Sequence, residues 1–128
     1  MTPTEVVRRA LWATVPANFA VAALMLAPTS APGAFLQLPG PAPHAVYRVL
    51  LALFLALFGG AYVWLATQPR IDRAFVAFAA IGKTMAFASI AALWLAGQAS
   101  GRLTALMSGD LAIALVFAWW LRATRLRG

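Results

Sequence analysis

Of 128 residues, 63% are hydrophobic and only 10% charged, against about 25% charged in soluble domains. A water-soluble chain this short has no core large enough to hide so much apolar surface, so an ordinary soluble domain is excluded and lipid is the solvent the composition demands. The net charge of +7 comes from basic residues scattered over the ends of apolar stretches, with no basic stripe interleaved with aromatics, which excludes nucleic acid as its reason.

There are no cysteines, which removes disulfides, thiolate nucleophiles and iron–sulfur clusters. The lone His44 leaves too few ligands for an all-protein transition-metal site. The whole chain, 1–128, reads as one all-α membrane domain of four spans, each near the roughly 20 residues that cross hydrocarbon as helix.

Span one is predicted over about Ala10 to Ala27. Its basic start and apolar stretch resemble a secretory signal, but Pro28 and Pro32 fall where a small-residue cleavage site belongs, and Pro16 and Asn18 interrupt the apolar stretch, so it is read as a retained span. Residues 28–44 then form a Pro-rich outer loop, with Pro28, Pro32, Pro39, Pro41 and Pro43, expected to be extended or turn-rich. Its middle, Ala34 to Leu38, is apolar enough to rest in the interface or fold back over the helices.

Span two covers about Ala45 to Ala66, span three about Ala74 to Ala96 and span four about Leu103 to Leu121. The links between them, Thr67 to Arg73 and Gly97 to Arg102, are short and favour an up-down four-helix bundle. With the N-terminus inside, Arg8, Arg9, Arg70, Arg73, Arg122, Arg125 and Arg127 share the inner side against Arg48 and Arg102 outside. That asymmetry predicts that both termini are cytoplasmic. Trp12, Trp64, Trp119 and Trp120 are expected near the inner boundary and Trp94 near the outer one, as an aromatic belt. Small-residue stripes (Ala52, Ala56 and Gly60 on span two; Ala88, Ala92 and Ala96, with Gly82 and Ala86 beside them, on span three) are expected to let helices approach closely, within the chain or between copies.

Two ionisable residues lie well inside the spans. At 1.5 Å per residue, Lys83 lies about 14 Å into span three and Asp110 about 10 Å into span four from the opposite side, so they differ in depth by about 5 Å, within a lysine's reach. Asn18 falls halfway through span one, with Thr14 a turn earlier on the same face, and Tyr47 and Arg48 open span two. Together Lys83, Asp110, Asn18, Arg48 and Tyr47 form the candidate buried polar cluster, with His44 near its outer end. The bland alternatives stay open: a structural salt bridge for the pair, an interhelical hydrogen bond for Asn18, a snorkelling anchor for Arg48. Glu5, His44 and Asp72 read as solvated or loop charges. Gly82-Lys83-Thr84 is the tail of a phosphate loop without its upstream glycine or strand, and carries no nucleotide site.

A mid-membrane ion pair suits a polar point inside a binding cavity, a proton-coupled or anion-conducting site, or an acid–base pair acting on a lipid-soluble substrate. The first expectation is therefore a non-enzymatic protein that binds an apolar or amphipathic molecule or supports a partner membrane protein. The second is a small oligomeric transporter or channel, and the third a membrane enzyme. No residue pattern specifies a cofactor.

The layout resembles the small bacterial inner-membrane proteins grouped as DoxX-like. The likeness rests on four spans, a Pro-rich first outer loop, Tyr47-Arg48 opening span two, the inner turn Gln68-Pro69-Arg70-Ile71-Asp72-Arg73, the Gly82-Lys83 step and Gly109-Asp110. It spans the whole chain as layout. It implies an inner-membrane location and a role such as an accessory subunit of a redox system, and it transfers no catalytic residue.

Overall fold

The computed structural model describes residues 1–40 and 42–126; Pro41 of the proline run and Arg127 of the basic C-terminal group lie outside the described residues. Among the described residues the chain is all-helical: α1 Pro3–Leu26, α2 Ala31–Phe35, α3 Ala45–Thr67, α4 Arg73–Leu95 and α5 Gly101–Arg125. The four long helices are each long and apolar enough to cross a membrane.

Two of the four long helices, α1 and α5, run beyond the expected spans by more than a residue, because hydrogen bonding and capping carry a helix past the end of its apolar stretch. At the start of α1, Thr2 and Glu5 form a reciprocal capping box, with Glu5 N–H donating to Thr2 Oγ1 (3.2 Å) and Thr2 N–H to Glu5 Oε2 (2.7 Å). Asp72 is not a bare loop charge: it caps α4 by accepting from Phe75 N–H at 3.0 Å. His44, expected to be merely solvated, is the N-cap of α3, its Nδ1 accepting from Val46 N–H at 3.3 Å. Pro16 remains inside α1, where it removes one backbone donor without ending the helix.

The proline-rich segment departs from its expected extended form by making the short helix α2. Pro32 sits in its first turn, where a missing N–H leaves nothing unpaired. Gln37, at φ 54°, turns the chain out, and Leu38 N–H donates back to Gly33 O at 3.1 Å. Gly33 is required there, since a Cβ would lie 1.9 Å from the Pro28 carbonyl oxygen. The segment folds back onto the start of α5: the Ser100 hydroxyl donates to Leu36 O, Arg102 donates to Phe35 O at 3.1 Å, and Leu36 is buried.

In space α1 packs against both α3 and α5, and α4 packs against α5. Helices α3 and α4 meet through rings, Tyr62 edge-on to Phe75 at 6.1 Å and Phe58 stacked on Phe78 at 6.2 Å. Arginines at the start of one helix close the carbonyl end of the next. Arg8 donates to Ala66 O and Gln68 O at the end of α3, Arg73 to Leu121 O near the end of α5, and Arg48 to Leu26 O at the end of α1. Arg8 and Arg48 satisfy carbonyls that have no intrahelical partner, and all three place positive charge at the negative end of a helix.

Two packing expectations are corrected. Trp120 does not join the aromatic belt: it is only 4% exposed, its Nε1–H faces Thr4 Oγ1 at 3.4 Å, and Arg73 lies over its ring at 5.5 Å. Trp12, Trp64, Trp94 and Trp119 are the exposed ones. On α3, Gly60 faces open space, and it is Gly59 that admits the Phe19 ring, 2.9 Å from where a Cβ would stand. Ala88, Ala92 and Ala96 face outward, so within the chain they pack no helix.

The tight core lies at one end of the molecule. It joins Val7, Ala10 and Leu11 of α1 to Tyr62, Leu65 and Ala66 of α3, Val76 and Ala79 of α4, and Phe117 and Trp120 of α5. Beyond it the helices are less closely filled. Because lipid is as apolar as this core, packing rather than escape from water holds the core together. Phe117→Ala is accordingly expected to destabilise the protein by about 3 kcal/mol, the low end for a buried phenylalanine. Leu115→Ala, at a lipid-facing exposed site, should leave stability almost unchanged; reversible unfolding of both variants in one detergent measures the difference.

Candidate functional site

Lys83, in the middle of α4, is 6% exposed, and its ammonium donates to Asp110 Oδ1 of α5 at 2.8 Å. On its other side the ammonium lies over the Tyr62 ring, 5.3 Å from the centroid. The lysine is thus held between a carboxylate and an aromatic face, both of which stabilise a cation away from water. Tyr62 was not among the sequence candidates. A single tyrosine well inside an apolar span was the available signal, since a ring with a polar tip at that depth needs a polar neighbour.

Asp110 is placed differently from its partner. Its side chain is about a quarter exposed (27%), and it lines a cleft of about 980 Å³ between α1 and α5, closed at one end by the α2 segment. The cleft walls are almost wholly apolar, with Ala13, Ala17 and Val21 of α1 facing Leu106, Met107 and Ile113 of α5. Alanines on α1 make the space: small side chains keep the helix apolar while leaving room beside it. Lys83 does not reach the cleft wall, so the pair presents its acidic edge alone.

Three further polar side chains line the same cleft, Thr14 and Asn18 of α1 and Ser30 ahead of α2. Asn18 spends one N–H on Leu55 O of α3 at 3.2 Å, which is the interhelical bond the sequence allowed for. Thr14 is buried, and its hydroxyl has no hydrogen-bond partner among the described residues. Trp120 and Thr4 meet by hydrogen bond, and Thr14 and Asp110 lie ten residues further along each helix, about 15 Å in each case. They therefore lie at about one level on the two helices that line the cleft, with Asn18 about 6 Å beyond.

Of the five sequence candidates, the structure brings Lys83 and Asp110 into contact and sets Asn18 on the same cleft as Asp110. Arg48 and Tyr47 stand apart from them. Tyr47 is 70% exposed, and both residues line a smaller cleft of about 180 Å³ with Pro28, Pro39 and Pro43. The Arg48 guanidinium is drawn to the carbonyl end of α1, and its Nε is buried without a partner among the described residues. Among the described residues no three His, Cys, Asp or Glu side chains converge, and the polar part of the main cleft is a hydrogen-bonding surface of one carboxylate edge, one amide and two hydroxyls.

No known family model, characterised protein or solved structure matches the chain.

Removing one charge from a pair in this setting leaves the other uncompensated. Lys83→Met is expected to lower stability by about 3 kcal/mol, the low end for a broken buried pair because Asp110 keeps an open edge. Lys83→Met combined with Asp110→Leu should recover most of that loss. Unfolding of the two singles and the double gives the coupling directly; additive effects would mean that the pair does not interact.

Proposed function

We propose that the chain is a non-enzymatic integral membrane protein that holds an apolar or amphipathic small molecule in the cleft between α1 and α5. The observation that carries this reading is the combination of a large, almost wholly apolar cleft with a few polar groups gathered on its wall. Small-molecule sites have this composition, and about 980 Å³ stands at the upper end of their usual size, about 300–1,000 Å³. An entirely apolar groove would fill with lipid chains without preference; Asp110, Asn18 and Thr14 give this one a means of orienting a guest.

The same geometry favours binding over chemistry. Lys83 is committed to Asp110 and Tyr62 and kept off the cleft wall, so no acid–base pair faces a bound molecule. In this reading the long helices form an up-down bundle in a bacterial inner membrane with both termini cytoplasmic. Support comes from Arg8, Arg9, Arg70, Arg73, Arg122 and Arg125 at the end of the molecule that holds the start of α1. The layout shared with DoxX-like proteins adds an accessory role beside a partner membrane protein as the setting for such a carrier.

Native mass spectrometry of the protein released from nanodiscs tests the reading. The wild type is expected to retain a small-molecule mass distinct from the nanodisc lipid, and Ala17→Phe, which fills the cleft from α1, is expected to lose it while unfolding normally. An empty wild type, or a bound mass that Ala17→Phe leaves untouched, contradicts the proposal.

A further inference from the structure

The polar groups on the cleft wall differ in what they have left to offer, and that difference selects a guest. Asp110 has one oxygen engaged by Lys83 and the other free of any hydrogen bond among the described residues. Asn18 has given an N–H to Leu55 O, and its carbonyl oxygen has no donor among the described residues. Thr14 has an uncommitted hydroxyl, able to donate once and to accept. The wall is therefore rich in acceptors, and the nearest cation is sealed behind it.

Three classes of head group meet that wall differently. An anionic head, such as a carboxylate or phosphate, would face the Asp110 carboxylate with no exposed cation to balance it, since Lys83 is 6% exposed and absent from the lining. A cationic head would find its counter-charge already taken at 2.8 Å by Lys83, leaving one uncompensated positive charge in hydrocarbon, which is strongly unfavourable. A neutral hydroxyl satisfies both conditions. It donates to the free Asp110 oxygen, adds no charge, and accepts from Thr14, which stands at the same level on the opposite helix.

We infer that the cleft takes a neutral, long apolar molecule ending in a hydroxyl, an alcohol or phenol, with its head between Asp110 and Thr14 and its apolar body along the alanines of α1. The assignment rests on the cleft being a binding site, and it names the chemistry of the guest. A hydroxyl bonded to a carboxylate is among the stronger hydrogen bonds a neutral group makes, which makes the head rather than the tail the source of preference.

Three photoreactive probes with the same sixteen-carbon, diazirine-bearing chain and different heads (hydroxyl, ammonium, carboxylate) separate these cases in nanodiscs of neutral lipid. After irradiation, peptide mass spectrometry is expected to place the hydroxyl probe on the cleft segments of α1 and α5, about tenfold above either charged probe, as one hydrogen bond to a charged acceptor dictates. Thr14→Val is expected to weaken that preference. Lys83→Met with Asp110→Leu, which removes the charged acceptor, is expected to cut hydroxyl-probe labelling of the cleft by about the same tenfold. Undiminished labelling there overturns the assignment of Asp110 as the head's partner. Equal labelling by all three heads, or preference for a charged one, overturns the head-group assignment and leaves the cleft as a binding site. Absence of cleft labelling by every probe overturns both.

Discussion

The ion pair between Lys83 and Asp110 is the contact on which the rest of the arrangement turns. Either charge alone inside hydrocarbon would be strongly unfavourable, so α4 and α5 are held in the one register that brings the groups to 2.8 Å. A slip of one helical turn, about 5.4 Å, would part them. Tyr62 closes over the back of the ammonium and ties α3 to the same point. The pair also divides the molecule. On one side lies the packed core around Phe117, Leu11 and Leu65; on the other the α1–α5 cleft begins, with the Asp110 edge as its polar feature.

A second constraint acts at the helix ends. Carbonyls that a helix cannot satisfy itself must find donors, and near lipid few are at hand. Arg8 and Arg48 supply them across helix pairs, closing α3 and α1, and Arg73 adds a donor at Leu121 O in the last turns of α5. Helix α4 closes itself through Gly97 at φ +77°, whose conformation lets Gln98 N–H reach back to Leu93 O at 2.7 Å. Arginines that a positive-inside count treats only as topology signals are thus also the fasteners of the fold. The α2 segment fastens the opposite end of α5 and walls off one end of the cleft.

What was legible in the sequence follows from which quantities a sequence encodes. Length and apolarity gave the four spans, and depth along a helix gave the meeting of Lys83 with Asp110, because rise per residue is constant. Rotation about the helix axis was harder. Neighbours differ by about 100°, so Trp119 faces out while Trp120 is buried, and Gly59 takes the Phe19 ring while Gly60 faces open space. Depth alone left Arg48 open between the polar cluster and an anchor at the interface, and the open carbonyl of Leu26 holds its guanidinium away from the cluster. Helix α2 was illegible locally, since five residues hold helical form here by docking on Ser100 and Arg102. The cleft itself is a property of several helices together: its polar residues Asp110, Asn18 and Thr14 were visible in advance, and the α1 alanines that make its space were not.

Lys83 is the only lysine and Asp110 one of two aspartates in the chain, which makes the central contact directly measurable. Solid-state NMR on protein in bilayers, labelled with ¹⁵N at the lysine side chain and ¹³C at the aspartate carboxyls, reports the distance between them through dipolar dephasing. The account predicts strong dephasing of the single lysine signal by one aspartate carboxyl, as the 2.8 Å contact requires, and its loss in Asp110→Leu. A lysine signal that no carboxyl dephases would mean that the pair does not form in the membrane, and the register, the core boundary and the acceptor-rich wall of the cleft would all lose their basis.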